Sequence, residues 1–518
     1  MMARCLPVAA LAFSLILAVG GCAKLPEGFE KPESFALADT DETALGMASR
    51  ELRRGREGEN GIYPLGNGLD AFVARAVLAN YAERSLDAQY YLYHKDLLGR
   101  LFTDLLLDAA DRGVRVRLLV DDMDVADKEL GLAAADSHPN MEIRVFNPFA
   151  RNVGRTSQFI TRLGEVDRRM HNKSFNADNQ YAILGGRNIG NEYFEADPEI
   201  GFSDLDVLVI GPLAWEVSTA FDLYWNSELA YPISALVTEP PSPEETAEMR
   251  ARLDSYVRDQ ENSEYLDALR NSNFAKALRN DTVRLYWGDG EVIYDPPEKL
   301  LEARGRDARY LTAQLSPHMQ AVEDELIIFS PYFVPGKDGV AALRAARERG
   351  VRVRILTNSL ASNDVAMVHA GYLKFRKALL RAGVELYEMN AQLTTEQRKA
   401  TFGSSVASLH AKSFVLDRQS VFIGSLNLDP RAVYFNTEIG VVVESPELAA
   451  DMARIFDERI DKVAFRLELV ETEKGGEKVL WYGLVDGQPQ VLDHEPNATL
   501  WQRFVANFLS IFPIESQL

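Results

Sequence analysis

The sequence predicts an α/β protein built from two tandem copies of one domain, and three observations carry that prediction. First, the pattern His-x-Lys-x-x-x-x-Asp occurs twice, as His171, Lys173, Asp178 and as His410, Lys412, Asp417. Each copy is followed at the same distance by a Gly-rich turn with Asn, Gly185-Gly186-Arg187-Asn188 and Gly424-Ser425-Leu426-Asn427. Each then reaches a Glu-Ile-Gly at the same offset, at Glu199 and Glu438. Second, Arg112-Gly113-Val114-Arg115-Val116-Arg117 returns upstream of the second copy as Arg349-Gly350-Val351-Arg352-Val353-Arg354, with a small slip in register. Third, each of these runs lies inside a strand, helix, strand pattern with short connections, which reads as a βαβ unit and a largely parallel sheet. A fixed-offset likeness of this extent marks an internal duplication.

The elements follow in order. Arg4, an apolar run from Leu6 to Val19 and then Gly20-Gly21-Cys22 have the shape of a signal peptide over residues 1–21, too short for a comfortable membrane span. Small residues before Cys22 resemble a bacterial lipoprotein box, so Cys22 is expected to become a lipid-modified first residue. Residues 22–60 are rich in charge, Pro and Gly and read as a lipidated tether reaching on the order of 30 Å. The first domain is expected over 61–231. It holds a strand at Leu86–Tyr93, a helix over Leu101–Ala110 capped by Gly113, the alternating Val-Arg-Val-Arg strand, and further strands at Met141–Val145, Lys173–Phe175 and Leu205–Ile210. Residues 232–281 read as a Pro-rich linker followed by a helical insertion over Met249–Leu278. The second domain is expected over 282–463, with a strand pair around Asp289-Gly290, a strand at Leu326–Phe333 and a helix over Val340–Ala346 capped by Gly350. Residues 464–518 form a C-terminal appendage. Its Leu500, Trp501, Phe504, Val505, Phe508, Leu509, Ile511 and Phe512 have helical spacing. That helix is expected to pack on the second domain, with an interfacial membrane helix as the alternative.

With 518 residues the chain has room for two full cores. Lys and Arg total 56 against 77 Asp and Glu, a net charge of -21, which argues against a protein that coats nucleic acid. Cleavage at the signal would leave Cys22 alone, so no intrachain disulfide is expected. The chain has no Cys cluster, no HExxH and no GxxxxGK[ST]. Zinc, two-metal and P-loop chemistry therefore have no sequence support.

A His two residues before a Lys in extended chain presents both side chains on one face. Two such pairs facing each other set two imidazoles and two ammonium groups around one anion, which suits a phosphodiester. One imidazole attacks phosphorus and the other protonates the departing alkoxide. Lys173, Lys412, Asn188 and Asn427 would offset charge on the phosphoryl oxygens. A carboxylate on the other imidazole nitrogen fixes the tautomer, and Glu199 and Glu438 are the candidates. Asp178 and Asp417 complete the two motifs and stand among the catalytic candidates, but they precede turns and read first as turn formers or as ion-pair partners behind the reacting groups. His369 is a candidate lining residue.

This constellation resembles the phospholipase D superfamily, and within it the cardiolipin synthase C branch. The resemblance rests on Asp167 to Phe175, Gly185 to Gly190, Phe202 to Val207, Ser330 to Pro335, Leu356 to Tyr372, Ala407 to Lys412 and Gly424 to Gly440. It implies two phospholipase D-like α/β/α sandwich domains related by a pseudo-twofold, with one active site between them supplied by one chain. It implies a phosphohistidine on His171, His410 as general acid, phosphate binding by Lys173, Lys412, Asn188, Asn427 and Ser425 opposite Gly186, and no metal cofactor. The activity it implies is phosphatidyl transfer between glycerophospholipids, with hydrolysis to phosphatidic acid as the alternative and a nucleic acid phosphodiesterase behind that. The lipoprotein signal implies a bacterial envelope location outside the cytoplasm. Ala23 stands in place of the Asp that commonly retains lipoproteins at the inner membrane, which leaves the outer membrane open.

Overall fold

Strand β1 (Asn60–Leu65) precedes a parallel trio in the first half: β2 (Ser85–Tyr90), β3 (Arg115–Asp121) and β4 (Met141–Phe146). The trio is parallel because helices Leu97–Asp111 and Glu129–Asp136 carry the chain back between strands. Gly113, at φ 94°, ends the first of these helices in the left-handed region, and Gly350 does the same at φ 99° in the second half. The structure, a computed structural model, describes residues 24–162, 165–197, 202–302, 305, 307–363, 365–392 and 408–512. Cys22, the signal segment and Glu199 lie outside them.

The rest of the sheet is antiparallel, contrary to the largely parallel expectation. β5 (Ser174–Ala177) and β6 (Tyr181–Gly185) form a hairpin, as do their counterparts below. Its turn residues Asp178 and Asn179 sit at φ 50° and 52°. Two successive positive φ values give the turn the twist that a tight antiparallel hairpin requires. The Asp of the repeated motif is thus the first residue of a turn. β7 (Phe202–Ser203), β8 (Asp206–Ile210) and β9 (Ala230–Pro232) complete the half. Spatially the order is β9-β4-β3-β2-β5-β6-β8-β1.

β10 (Tyr286–Tyr294) joins the halves. Its start pairs with β1 and its remainder with a strand of the second half. The strand pair expected around Asp289-Gly290 is therefore one continuous strand. The glycines mark close backbone approach, not a turn: a Cβ at Gly288 would lie 2.1 Å from the Glu444 carbonyl oxygen. The second half then repeats the first with β11 (Glu325–Phe329), β12 (Arg352–Thr357), β13 (Glu385–Met389), β14 (Ser408–Leu409), β15 (Ser413–Leu416), β16 (Ser420–Gly424) and β17 (Ile439–Glu444). β18 (Ala464–Glu471), β19 (Glu477–Val485) and β20 (Gln488–Leu492) follow. β18 pairs with β13, as β9 pairs with β4. Residues 464–492 thus finish the second sheet and are no separate appendage.

Helices cover both faces of each sheet. Pro212–Asn226 and Pro446–Val463 lie between the halves in one shared core, where Leu213, Val217 and Ala220 of the first half are buried with Leu448, Phe456 and Ile460 of the second. The duplication extends to buried ion pairs. Arg117 binds Asp87 and Asp222, and Arg354 binds Glu325 and Asp457. The insertion forms three helices, Pro243–Gln260, Glu264–Arg270 and Asn273–Arg279, packed on the outer helices of the first half.

Residues 24–59 do not hang free as a tether. Ser34 Oγ accepts from Trp225 Nε1 at 2.9 Å, Arg144 donates to the Pro32 carbonyl at 2.7 Å, and Asp222 accepts from the Ala36 N–H at 2.8 Å. Gln180 donates to Thr40 and Asp41, and a helix follows at Ala44–Leu52. The physical reason lies in the first domain. Its buried Arg117, Arg144 and Trp225 carry donors that need partners, and this segment supplies carbonyls and hydroxyls.

Candidate active site

The two motif histidines stand just before β5 and β15, each in an extended strand-like connection across the domain boundary. The His171 N–H donates to the Thr437 carbonyl at 2.9 Å, and the His410 N–H donates to the Ser203 carbonyl at 2.7 Å. Met170 and Thr437 form a parallel bridge, and β7 pairs in parallel with β14. Each histidine is therefore placed by backbone of the opposite half. The residue after each acceptor supplies the orienting carboxylate. Glu438 Oε2 lies 2.8 Å from His171 Nδ1, and Asp204 Oδ2 lies 2.5 Å from His410 Nδ1.

Asp204 therefore fills the role expected of Glu199. Sheet pairing shows why the matched offset misled. Gly185 pairs with Asp206 and Gly424 with Gly440, so the first connection is five residues longer than the second. By that pairing Asp204, two residues before Asp206, is the counterpart of Glu438, two residues before Gly440. The signal available in the sequence was the Ser203-Asp204 pair just before an apolar strand, matching Thr437-Glu438 before another.

Gly186 and Ser425 differ for the same reason. A Cβ at Gly186 would lie 2.1 Å from Asp204 Oδ1, so only glycine leaves room for that carboxylate. Ser425 donates its hydroxyl to Glu438 Oε2 and accepts the Ile439 N–H at 3.0 Å. Its hydroxyl thus steadies Glu438.

Lys173 and Lys412 are buried beside their histidines, and each donates to its own histidine's carbonyl. Lys412 Nζ also stands 2.9 Å from His410 Nδ1. Tyr91 and Tyr193 set their rings edge-on to His171 and His410, at centroid distances of 5.0 and 5.3 Å, and were not foreseen. Asn188 Oδ1 accepts from the Leu92 N–H at 3.1 Å and its Nδ2 donates to Tyr193 Oη at 2.9 Å. It therefore braces the wall beside His410. Asn427 Oδ1 is buried with no hydrogen-bond partner among the described residues.

Three expectations fall elsewhere. Asp178 accepts the backbone N–H groups of Glu83, Arg84 and Ser85, and Asp417 accepts those of Glu323, Asp324 and Glu325, at 2.8 to 3.0 Å for the closest contact of each. Both sit at the far end of their strands from the histidines, so neither touches the reacting groups. His369 is fully buried in a separate network, with its Nε2 3.7 Å from Glu495 and Arg376 bridging Glu495 and Glu388.

Electrostatics separate the two half-sites. Burial, then the charges of Lys173, Lys412 and His410, hold His171 well below the ordinary imidazole value, so it rests neutral. Burial pushes Glu438 well above the carboxylate range against the pull of Lys173. Burial would also raise Asp204, but His410 and Lys412 hold it well below that range. His410 is lowered by burial and Lys412 and supported by Asp204. Burial brings Lys173 down to about 7. One imidazole thus rests neutral beside a hydroxyl-shared carboxylate, and the other beside a firmly ionised one.

Residues 78–225 and 315–460 each match the family described as cardiolipin synthase, PLD-like domain. The chain belongs to that family. It is 41% identical to cardiolipin synthase C of Escherichia coli (strain K12) over 88% of this chain and 96% of that protein. It is 26% identical to cardiolipin synthase A of Yersinia pseudotuberculosis serotype O:1b (strain IP 31758) over 84% and 76%. Phosphatidylserine synthase of Haemophilus influenzae Rd KW20 shares the fold at a TM-score of 0.56 and 15% identity, covering 91% of this chain and 98% of that one. As a family member this chain is a phospholipid-modifying enzyme with a duplicated α/β fold.

Proposed function

We propose that this protein is a phosphatidyl transferase of the cardiolipin synthase type, working through a covalent phosphohistidine. One observation carries the reading: two His-Lys pairs face one site, and each imidazole is oriented by a carboxylate of the opposite half. Glu438 takes the Nδ1 proton side of His171, which leaves the Nε2 lone pair to attack phosphorus. As the P–N bond forms, the P–O bond to the departing alcohol breaks, and that oxygen takes a proton from His410. Ionised Asp204 supports the charge His410 must hold before it gives that proton. The second alcohol then returns a proton to His410, attacks phosphorus and breaks the P–N bond. Lys173 and Lys412 offset the charge on the phosphoryl oxygens throughout. This difference in carboxylates supports His171 as nucleophile and His410 as acid, an assignment the duplicated motifs alone leave symmetric.

The lipoprotein reading of Cys22 belongs to the same proposal. It rests on Arg4, the apolar run and Gly20-Gly21-Cys22, and would hold the body at an envelope membrane outside the cytoplasm. No helix among the described residues is long and apolar enough to cross a membrane.

The test is incubation with phosphatidylglycerol and phosphatidylethanolamine vesicles, beside His171→Ala and His410→Ala, with products read by mass spectrometry. Cardiolipin made only by the unmutated protein is the expected result. Phosphatidic acid alone would make it a hydrolase, and no product from any glycerophospholipid would sink the reading.

A further inference from the structure

We propose that the outer face of the C-terminal helix Leu500–Leu509 is a bilayer-docking surface that seats the catalytic body on the interfacial layer of a phospholipid membrane; this rests on the phospholipid reading above. The helix is well formed, with a capping box between Thr499 and Gln502. It packs on the helix Ala366–Arg381 through its small side, where Ala506 is fully buried. Its large apolar residues point the other way. Leu500, Trp501, Phe504, Phe508 and Ile511 are 82%, 70%, 60%, 50% and 78% exposed. The rings of Trp501, Phe504, Phe508 and Phe512 form a continuous ladder with centroid spacings of 5.6, 6.2 and 5.2 Å. A soluble monomer rarely leaves so large a contiguous apolar face in water.

Three features favour a bilayer as the occupant. Beside the ladder, a recess of about 400 Å³ between the two helices is lined by Lys374, Lys377, Arg381, Asn507 and Ser510. On a chain of net charge -21 this strip gathers three cations against one carboxylate, Glu477, which pairs with Arg381. An apolar aromatic face bordered by cations matches the acyl boundary and phosphate layer of a membrane surface. Next, the helix packs on the elements that hold the active-site loops. Ala506 packs in one cluster with Leu360, two residues from Asn358. Asn358 holds both the N–H and the carbonyl of Leu409, next to His410, at 3.0 and 2.9 Å. Leu509 packs against a cluster containing Val334, whose N–H bonds the Leu428 carbonyl next to Asn427. Finally, the substrates of the proposed reaction reside in a bilayer, so a surface that anchors this flank would bring lipid to the site without full extraction.

The experiment uses the full-length protein on vesicles of phosphatidylethanolamine and phosphatidylglycerol carrying acyl-chain nitroxide lipids. N-terminal anchoring does not confound it, because the readout is local to Trp501. The nitroxide is expected to quench a component of tryptophan emission that Trp501→Phe removes. The double variant Phe504→Gln/Phe508→Gln keeps good helix formers. It is expected to lose at least about tenfold of the turnover of bilayer lipid. Its turnover of a short-chain phospholipid dispersed as monomers should stay within about twofold. The inference is overturned if Trp501→Phe removes no quenched component, or if both turnovers fall together, which would make the face part of the fold. It is also overturned if the double variant dissolves a dimer while no quenching is seen, since a second copy would then cover the ladder. Quenching without turnover of any phospholipid would sink the proposed activity and leave the docking surface standing.

Discussion

Glu438 of the second half orients His171 of the first, with Oε2 2.8 Å from the imidazole Nδ1, and Asp204 returns the arrangement to His410. Neither half contains a complete half-site. Glu438→Gln and Asp204→Asn keep shape but put an amide where a carboxyl oxygen fixes each tautomer, and Asp204→Asn also removes an ionised charge. Each is expected to lower kcat on the order of 10²–10⁴-fold. Rapid-quench measurement of phosphohistidine should show Glu438→Gln failing to form the intermediate. Unchanged formation in that variant would remove Glu438 from its orienting role.

The two histidines should separate by leaving group. A p-nitrophenolate departs without a proton, so a p-nitrophenyl phosphodiester has no need of the acid in the first step. The burst of p-nitrophenol from His410→Ala and Asp204→Asn should recover to within about tenfold of the unmutated protein, because only general-acid catalysis worth roughly 10²–10⁴ is missing. His171→Ala should release none. Recovery of His171→Ala instead would exchange the two roles.

How far the sequence revealed this site depends on what kind of feature was being read. His171, Lys173, His410 and Lys412 were legible because extended chain puts residues i and i+2 on one face. Glu438 was legible from its place after the second turn. Asp204 was not, because a five-residue difference between the halves put Glu199 at the matching offset instead. The bond from Ser425 to Glu438 was not legible, because a hydroxyl's partner is set by packing. The α/β class and both βαβ units followed from periodicity. The antiparallel half of each sheet did not, since the turn that makes it, Asp178-Asn179, lacks the Gly that usually signals positive φ. Residues 24–59 looked like a tether because their partners, Arg117, Arg144 and Trp225, lie far away in sequence.

The motif aspartates should act on stability and leave the chemistry nearly unchanged. Asp178 and Asp417 each bind three backbone N–H groups ahead of a central strand. An Asn side chain offers one oxygen and no charge. Asp178→Asn and Asp417→Asn should each cost about 1–3 kcal/mol in denaturant unfolding. Their kcat below the transition should stay within a few-fold. A loss comparable with that of Glu438→Gln, at unchanged stability, would place these carboxylates in the reaction.

The pH profile should carry the signature of Lys173. A lysine brought down to about 7 is charged below that value and neutral above it. In the free enzyme the phosphate-binding charge therefore fades as pH rises through about 7, and kcat/KM should fall on that alkaline side. A bound phosphodiester is anionic and favours the ammonium form, so the limb in kcat should lie at higher pH than the limb in kcat/KM. His171 works on the acid side with the opposite requirement. It must be neutral to attack, and burial with the charges of Lys173, Lys412, His410 and Arg431 keeps it so to well below the ordinary histidine value. The acid limb should accordingly start below the ordinary histidine range. Lys173→Met removes the titrating group. It should lower kcat/KM by roughly 10²–10³-fold and flatten the alkaline limb, since one buried donor to developing charge is lost. Profiles of both constants between about pH 5 and 9 test this. An alkaline limb that persists unchanged in Lys173→Met would assign the titration to another group and leave Lys173 as a fixed charge.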